Sequence, residues 1–391
     1  NGTSITFQHE KDKLFIRNQG VDLFKENVIT IKYGGRPPIA KNPPWDGGVT
    51  WSKDNHGRHW VGVSCQINGA HYWYPCKNHP SDKSNGAEII ITVPPALMAV
   101  SNGLIQSSEI LEDRWVRWHW KTNYSISTYN INFTVGDFQT LEKQVYIDGS
   151  PINMFYYVID DNLDRGYRLL NQGEEYLKFF STYFGNYPWS REKLGIVEAP
   201  YWGMEHQTII AYGNKYKQTD LGYDFILLHE MGHEWWGNYL SVIDWSDFWI
   251  HEGFTTYAEA MFVEQKHGMK AMRDHILNSW LRKIENKMPL VGQKNSQPTN
   301  MLSTDVYYKG AYVLHMLRGL VGKELLWSTL YEYISMPKEH ENNQTSTNEF
   351  IKLINNNSGK ELDWFFQKYL YSETMPVPVS YTHLRAHETT N

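Results

Sequence analysis

Cysteine is nearly absent: only Cys65 and Cys76 occur in 391 residues. Two are too few for a disulfide framework or a cysteine-built zinc site, and they can form one bridge or none. No apolar run approaches the roughly 20 residues a membrane helix needs, so no membrane span is expected. Basic clusters are missing as well. The 37 Lys and Arg are dispersed against 43 Asp and Glu, net −6, which argues against nucleic acid as a partner. There is no start methionine, signal peptide, internal repeat or low-complexity tract, and the sequence reads as a fragment that begins inside a domain. N-glycosylation triplets occur at Asn1, Asn123, Asn132, Asn343 and Asn356. With the scarce cysteine they fit a bacterial envelope or secreted protein about as well as a cytosolic one, and the aromatic-rich loops tip the expectation toward a bacterial periplasmic, envelope or secreted protein.

What is present suits a large interior. Hydrophobic residues make up 41% and aromatic ones 15%, and a chain of this length exceeds one ordinary core, so two domains are expected. Up to about residue 142 the pattern has period two. In "YNINFTV" Ile131, Phe133 and Val135 alternate with Asn130, Asn132 and Thr134, and in "RWVRWHW" Val116, Trp118 and Trp120 oppose Arg117 and His119; such alternation predicts strands. "NVITIKY" and "EIIITV" read as further strands. After a hairpin at Gly149 and Pro151 the period lengthens: Leu163, Tyr167, Leu170, Leu177, Phe180 and Phe184 share a helical face that stops at Gly185. Two short strands, in "KLGIVEA" and "QTIIAY", precede a mainly helical remainder. The expected domains are residues 1–142, all β, and 143–378, α+β. The tail "VSYTHLRAHETTN" resembles translated sequencing adaptor, so residues 379–391 are expected to be non-native.

One stretch carries chemistry: "HEMGHEWWGNYL", from residue 229. Four residues apart on a helix, His229 and His233 project from one face and can bind one zinc ion. Zinc catalysis commonly uses three protein ligands and leaves a fourth position to water. Glu252, nineteen positions after His233 in the next helical segment, is the expected third ligand. His251 points about 100° away around that helix and is the weaker candidate. Glu230 is placed to take a proton from a zinc-activated water and pass it to a leaving amine. Two turns beyond Glu252 on the same face, Glu259 can accept the second N–H of a ligand histidine. Trp236 and Tyr239 stand where a motif with a third histidine ligand would need Gly and His.

In order and spacing, "HEMGHEWWGN", "WIHEGFTTYAEA", "APYWGMEHQTII" and "STDVYYKGAYVLHML" resemble the aminopeptidase N family of zinc metallopeptidases, gluzincins that also include leukotriene hydrolase. "HYWYPCKNHPSDK" and "VSNGLI" look like that family's N-terminal saddle domain. The resemblance spans roughly residues 20 to 378. It implies a β saddle domain followed by a thermolysin-like, mainly helical catalytic domain with a small sheet. By the same resemblance His229, His233 and Glu252 hold one zinc ion and Glu230 is general base. "GMEH" corresponds to the exopeptidase motif G-x-M-E-N, which implies substrate-binding roles for Gly203, Met204 and Glu205, the last holding the free α-ammonium group. Trp202 stands in place of that motif's first Gly and His206 in place of its Asn. Tyr307, set by its spacing to Lys309 and Gly310, is implied to stabilise the oxyanion; Gln66 is implied to line the pocket for the N-terminal side chain. The expected function is therefore a zinc aminopeptidase acting on peptides with a free N-terminus. A thermolysin-type endopeptidase and a catalytically silent peptide-binding module are the alternatives.

Overall fold

The computed structural model describes residues 4–17, 25–66, 69–296 and 303–373. Residues 1–36 form a unit apart from residues 37–391. The first contains an exposed antiparallel hairpin, β1 (Phe7–Glu10) and β2 (Lys13–Ile16). "NVITIKY", residues 27–33, forms no strand, and Val28, Ile29 and Tyr33 are exposed. Alternation yields a strand only where a neighbour takes up the backbone N–H and C=O groups, and among the described residues none pairs with this stretch.

The larger unit opens with β layers. Its strands are β3 (Gly48–Lys53), β4 (His59–Ser64), β5 (Lys83–Ser84), β6 (Ala87–Val93), β7 (Met98–Ser101), β8 (Leu104–Ile110), β9 (Val116–Thr122), β10 (Ile126–Ser127) and β11 (Phe133–Gly136). They assemble as β3-β4-β11-β7, β6-β9-β8 and β5-β10. "RWVRWHW" enters β9 and "EIIITV" enters β6. Of "YNINFTV" only Phe133–Val135 enter a strand, while Thr128–Asn130 form a 3-10 turn, and the expected apolar face is not the deeper one: Asn130, Asn132, Thr134 and Val135 are buried, whereas Ile131 and Phe133 are half-buried. Hydrogen bonding offsets the burial of those amides. Asn130 Nδ2 donates to Asn238 Oδ1 at 2.8 Å and its Oδ1 accepts from the Gln207 N–H at 3.2 Å. Burial also leaves the Asn132 triplet out of reach of a glycan.

A second sheet lies beneath the helices. The hairpin of β12 (Phe138–Ile147) and β13 (Ser150–Ile159) turns on Asp148 and Gly149. Helix α1 (Leu163–Phe184) then crosses to β14 (Leu194–Glu198), followed by β15 (Gly203–Met204) and β16 (Ile209–Tyr212), in the order β12-β13-β14-β16-β15. Only β15 and β12 are antiparallel to their neighbours in this sheet. The boundary expected between residues 142 and 143 falls inside β12, which pairs with β13 along its whole length. Helix α1 ends at Gly185 as expected, with Leu170, Leu177, Phe180 and Phe184 buried, but Tyr167 is exposed. The buried stripe runs through Gly166 instead, where a Cβ would meet Leu141 Cδ1 at 2.9 Å.

The remainder is helical: α2 (Phe225–Gly232), α3 (Trp249–His275), α4 (Thr304–Val321), α5 (Lys323–Ser335), α6 (Thr347–Ser358) and α7 (Asp363–Tyr369), with β17 (Ser241–Val242) paired to β18 (Gln344–Thr345). Among the described residues no helix is long and apolar enough to cross a membrane. The chain thus has an N-terminal β-rich part and a mainly helical part with a small sheet. The residues expected to be non-native, 379–391, lie outside the described residues, with His383 and His387.

Two glycines set the approach of α3 to α4. A Cβ on Gly253 would stand 2.9 Å from the Cα of Gly310, and one on Gly310 would stand 3.0 Å from the Cα of Gly253. Backbone cannot yield as a side-chain tip can. Gly310→Ala is expected to cost about 1–3 kcal/mol by overpacking, checked by the denaturant midpoint. A second test concerns the corner from β13 into α1. There Glu198 accepts from the Ile159 N–H at 2.9 Å and from Asn162 Nδ2 at 2.6 Å. Burial pushes its carboxyl up to about 7. A raised folded-state pKa adds stability below the unfolded value, near 4.5, that is lost as pH rises through about 7. Glu198→Gln, which cannot ionise, should therefore gain in melting temperature relative to wild type between pH 5 and pH 8; no change in the difference would refute this.

Candidate active site

Asp224 starts α2, accepting from the Leu227 N–H at 3.1 Å as an N-cap. The helix is eight residues long, and His233 sits at its C-terminal cap still in right-handed helical conformation, so His229 and His233 keep their shared face. The chain turns back through β17 and enters α3, whose first turn presents Glu252. His229 Nε2 and His233 Nε2 are 3.1 Å apart, and Glu252 Oε2 is 3.3 Å from each. All three residues are buried.

The hydrogen bonds on the far sides of the rings decide what the near sides are. His229 Nδ1 lies 2.6 Å from Glu259 Oε1 and His233 Nδ1 lies 2.8 Å from the Trp236 carbonyl. Both partners are acceptors, so Nδ1 carries the proton in each ring and the two Nε2 lone pairs face each other and Glu252 Oε2. Glu252 Oε2 has no hydrogen-bond partner. Three buried electron-pair donors at this separation want a cation. A tetrahedral ion about 2.0–2.1 Å from nitrogen and oxygen ligands would set them roughly 3.3 Å apart. The donor set fits zinc.

Electrostatics point the same way. Burial opposes charge on His229, yet the Glu252 and Glu259 carboxylates beside it carry its imidazole well above the usual range. Burial also opposes charge on His233, but Glu252 and Glu205 raise it to about 9. Glu252 is held far below an ordinary carboxylate by the two histidines, against burial. Burial, with Glu205 and Glu252 nearby, pushes Glu230 up to about 8. Burial also raises Glu205 and Glu259. Four buried carboxylates around two imidazoles leave excess negative charge that a dication would neutralise.

The structure brings nearly every expected residue to this centre. Glu205, Glu230 and His233 offer ligand-type atoms within 4.8 Å of one another. Gly203 runs against Glu230: a Cβ there would lie 2.6 Å from Glu230 Oε1. Tyr307 on α4 stacks on His229, centroids 5.9 Å apart, while Tyr308 turns outward to accept from Lys283 Nζ at 2.9 Å. From the β layers Gln66 Nε2 donates to Glu252 Oε1 at 3.0 Å and to the Tyr307 hydroxyl at 2.7 Å. Two residues stand aside. The Met204 side chain is buried in the core and its backbone pairs with Ala211 in the β15–β16 ladder. His251 accepts from the Val242 N–H at 3.0 Å, and burial pushes its ring down to about 3.

Several contributors were not anticipated. Asn238 Nδ2 donates to the Glu205 carbonyl at 2.9 Å, and Asn238 Oδ1 accepts from Asn130. The Tyr129 phenol is raised by burial and then by Glu205 and Glu252 beside it. Glu234 accepts from the Thr208 N–H at 2.9 Å and Trp189 Nε1 at 2.6 Å, and burial pushes it up to about 7. Asn238 ends the stretch "HEWWGN" and was there to be noticed; Tyr129 sits in an ordinary strand-like alternation and gives no such signal.

A β layer that reaches into a buried two-histidine, one-glutamate centre on consecutive helices defines a class of metallopeptidase folds. The chain belongs to peptidase family M1: the sequence model of the Peptidase family M1 domain matches residues 168–369 and that of the Peptidase M1 N-terminal domain residues 5–130. It is similar to glutamyl aminopeptidase of Bitis rhinoceros, 27% identical over 73% of this chain and 31% of that protein. Endoplasmic reticulum aminopeptidase 1 of Mus musculus is 22% identical over 77% of this chain and 34% of that protein. The chain thus spans about a third of the curated relatives it matches. Among solved structures, an M1 zinc metallopeptidase from Deinococcus radiodurans superposes with a TM-score of 0.71 at 20% identity, over 88% of this chain and 75% of that one. A two-domain M1 zinc metallopeptidase bound to L-tryptophan gives 0.75 at 19% identity, over 96% and 84%.

Because Glu259 fixes the His229 ring, Glu259→Ala should weaken zinc binding roughly 10- to 100-fold while the fold persists. Competition with a chromophoric chelator reads this directly, and unchanged affinity would remove Glu259 from the site.

Proposed function

We propose that the chain is the catalytic part of a zinc aminopeptidase, with His229, His233 and Glu252 holding one ion. One observation carries the exopeptidase reading: the Glu205 carboxylate is buried beside these ligands with Oε1 unpartnered. A fixed carboxylate there pairs with an ammonium group, and only the first residue of a peptide has one next to its peptide bond. Tyr129, His206, Gln207 and Asn238, which pack around the Glu205 segment, are all buried, which supports a site that ends there over the open cleft an endopeptidase needs. The M1 zinc metallopeptidase of Deinococcus radiodurans bound to a Tyr-Ser-Ala substrate supports peptides as the substrate class.

Bound zinc supplies a Lewis acid for the scissile carbonyl and lowers the pKa of a nearby water. The chain's residues do the rest. Glu230, walled in by Gly203, takes the proton of the attacking water and returns it to the leaving nitrogen. The Tyr307 hydroxyl, oriented by Gln66, donates to the developing oxyanion. Glu252 keeps Oε1 on Gln66 and Oε2 toward the histidines, so one carboxylate serves two partners without turning. Glu205 holds the ammonium group and sets the register.

Comparing an aminoacyl amide with its N-acetylated twin tests the reading. Only the free amine should be cleaved, a chelator should stop the reaction, and Glu230→Gln should lower kcat about 10²- to 10⁴-fold with zinc still bound. Equal cleavage of both amides would favour an endopeptidase. Peptide binding with neither cleaved would favour a binding module.

A further inference from the structure

Trp202 breaks the expected motif, and its indole faces solvent. It is 44% exposed between buried Tyr201 and Gly203. It is not loose: Trp202 Nε1 donates to Asn214 Oδ1 at 3.2 Å, and Asn214 Nδ2 donates to Asp224 Oδ1 at 3.1 Å, the residue that caps α2. The ring also meets Trp45, itself 38% exposed, at a centroid distance of 5.8 Å, and Phe225 at 6.5 Å. Phe225 in turn lies 6.0 Å from the His229 ring. A continuous aromatic run therefore leads from two solvent-facing indoles to a metal ligand. Hydrolysis of the first peptide bond makes no use of its outer end, and anchored exposed indoles carry apolar area available to a ligand.

The backbone says what could lie against it. Strand β15 is the edge of its sheet and pairs only with β16 among the described residues. The Gly213 N–H donates to the Trp202 carbonyl at 2.8 Å, and Gly203 is opposite Tyr212. Residues along an antiparallel ladder turn their N–H and C=O groups to alternate sides. Gly203 therefore presents its own pair to the open edge, at the point where it abuts Glu230. A peptide that adds to this edge with its ammonium group at Glu205 runs antiparallel to β15. Its first peptide bond then lies by Gly203 and Glu230. Strands advance about 3.3 Å per residue in both partners, so the third residue of the peptide comes opposite Trp202.

We propose that Trp202 and Trp45 form a subsite for the side chain of the third residue of a peptide substrate, and that they select an aromatic or large aliphatic group there. The register rests on the role of Glu205 given above. Face contact with two indoles is expected to favour Phe over Gly at that position by about tenfold.

Calorimetry on the zinc-loaded Glu230→Gln chain tests this without turnover, with Ala-Ala-Phe amide, Ala-Ala-Gly amide and the N-acetyl form of the first. The free Phe peptide should bind about tenfold more tightly than the Gly peptide. Adding Trp202→Gly, or Trp45→Ala should the former disturb folding, should reduce that ratio to less than about twofold. Equal binding of the Phe and Gly peptides, or a ratio that survives both substitutions, would overturn the subsite. Binding of the acetylated peptide as tightly as its free twin counts instead against Glu205, and the Phe-to-Gly ratio still decides the role of the indoles.

Discussion

Three electron-pair donors, two imidazole nitrogens and one carboxylate oxygen, meet within 3.1–3.3 Å in a buried place. Left alone they repel or must take up protons; with a dication between them they become the strongest interaction in the domain. Much around them serves to hold that geometry. Glu259 and the Trp236 carbonyl turn the rings, Gln66 occupies the other Glu252 oxygen, and Gly253 against Gly310 brings α4, with Tyr307, down onto α3.

The same constraint explains why an N-terminal β part is needed at all. The helices supply ligands, but the amide that bridges Glu252 and Tyr307 comes from Gln66, next to β4. Further ties run between the two parts. Lys83 Nζ donates to the Asn238 carbonyl at 2.8 Å, Asn130 Nδ2 donates to the Asn238 side chain, and Asn238 holds the Glu205 carbonyl. The segment that carries Glu205 is thus fixed from both sides. Polar groups this deeply buried are costly unless satisfied, which makes them rigid spacers once they are.

Legibility followed the range of the physics involved. A helix repeats every 3.6 residues, so the pairing of His229 with His233 and of Glu252 with Glu259 could be read from spacing alone, and the four do meet. The long helix ending at Gly185 was equally plain. What failed depended on partners remote in sequence. "NVITIKY" had the right alternation and, among the described residues, no neighbouring strand. "YNINFTV" entered a strand only at its end and has its amides buried deepest, because Asn238 and Gln207 offer bonds to Asn130, and Asn102 to Asn132, that no local pattern announces. Tyr167 lost its place on the buried face because the sheet approaches α1 so closely that only Gly166 fits. Tyr129 and Asn238 reach the site by packing between the two parts of the chain, which spacing within either part cannot reveal.

The two departures in "WGMEH" differ in what they demand of the fold. His206 is fully buried with neither ring nitrogen partnered, and burial holds it neutral, pushed down to about 3. It therefore adds no charge beside the Glu205 carboxyl. Trp202 is the opposite case, exposed and well partnered, at the outer end of a strand whose next residue must be glycine because Glu230 leaves no room for a Cβ. That glycine cannot contribute a side-chain contact to a passing peptide. In the proposed register the first side chain past that glycine on the leaving-group side is that of residue 202, immediately before β15, so selectivity among peptides would fall to the residue that departs from the motif, while the proposed chemistry stays with residues that follow it.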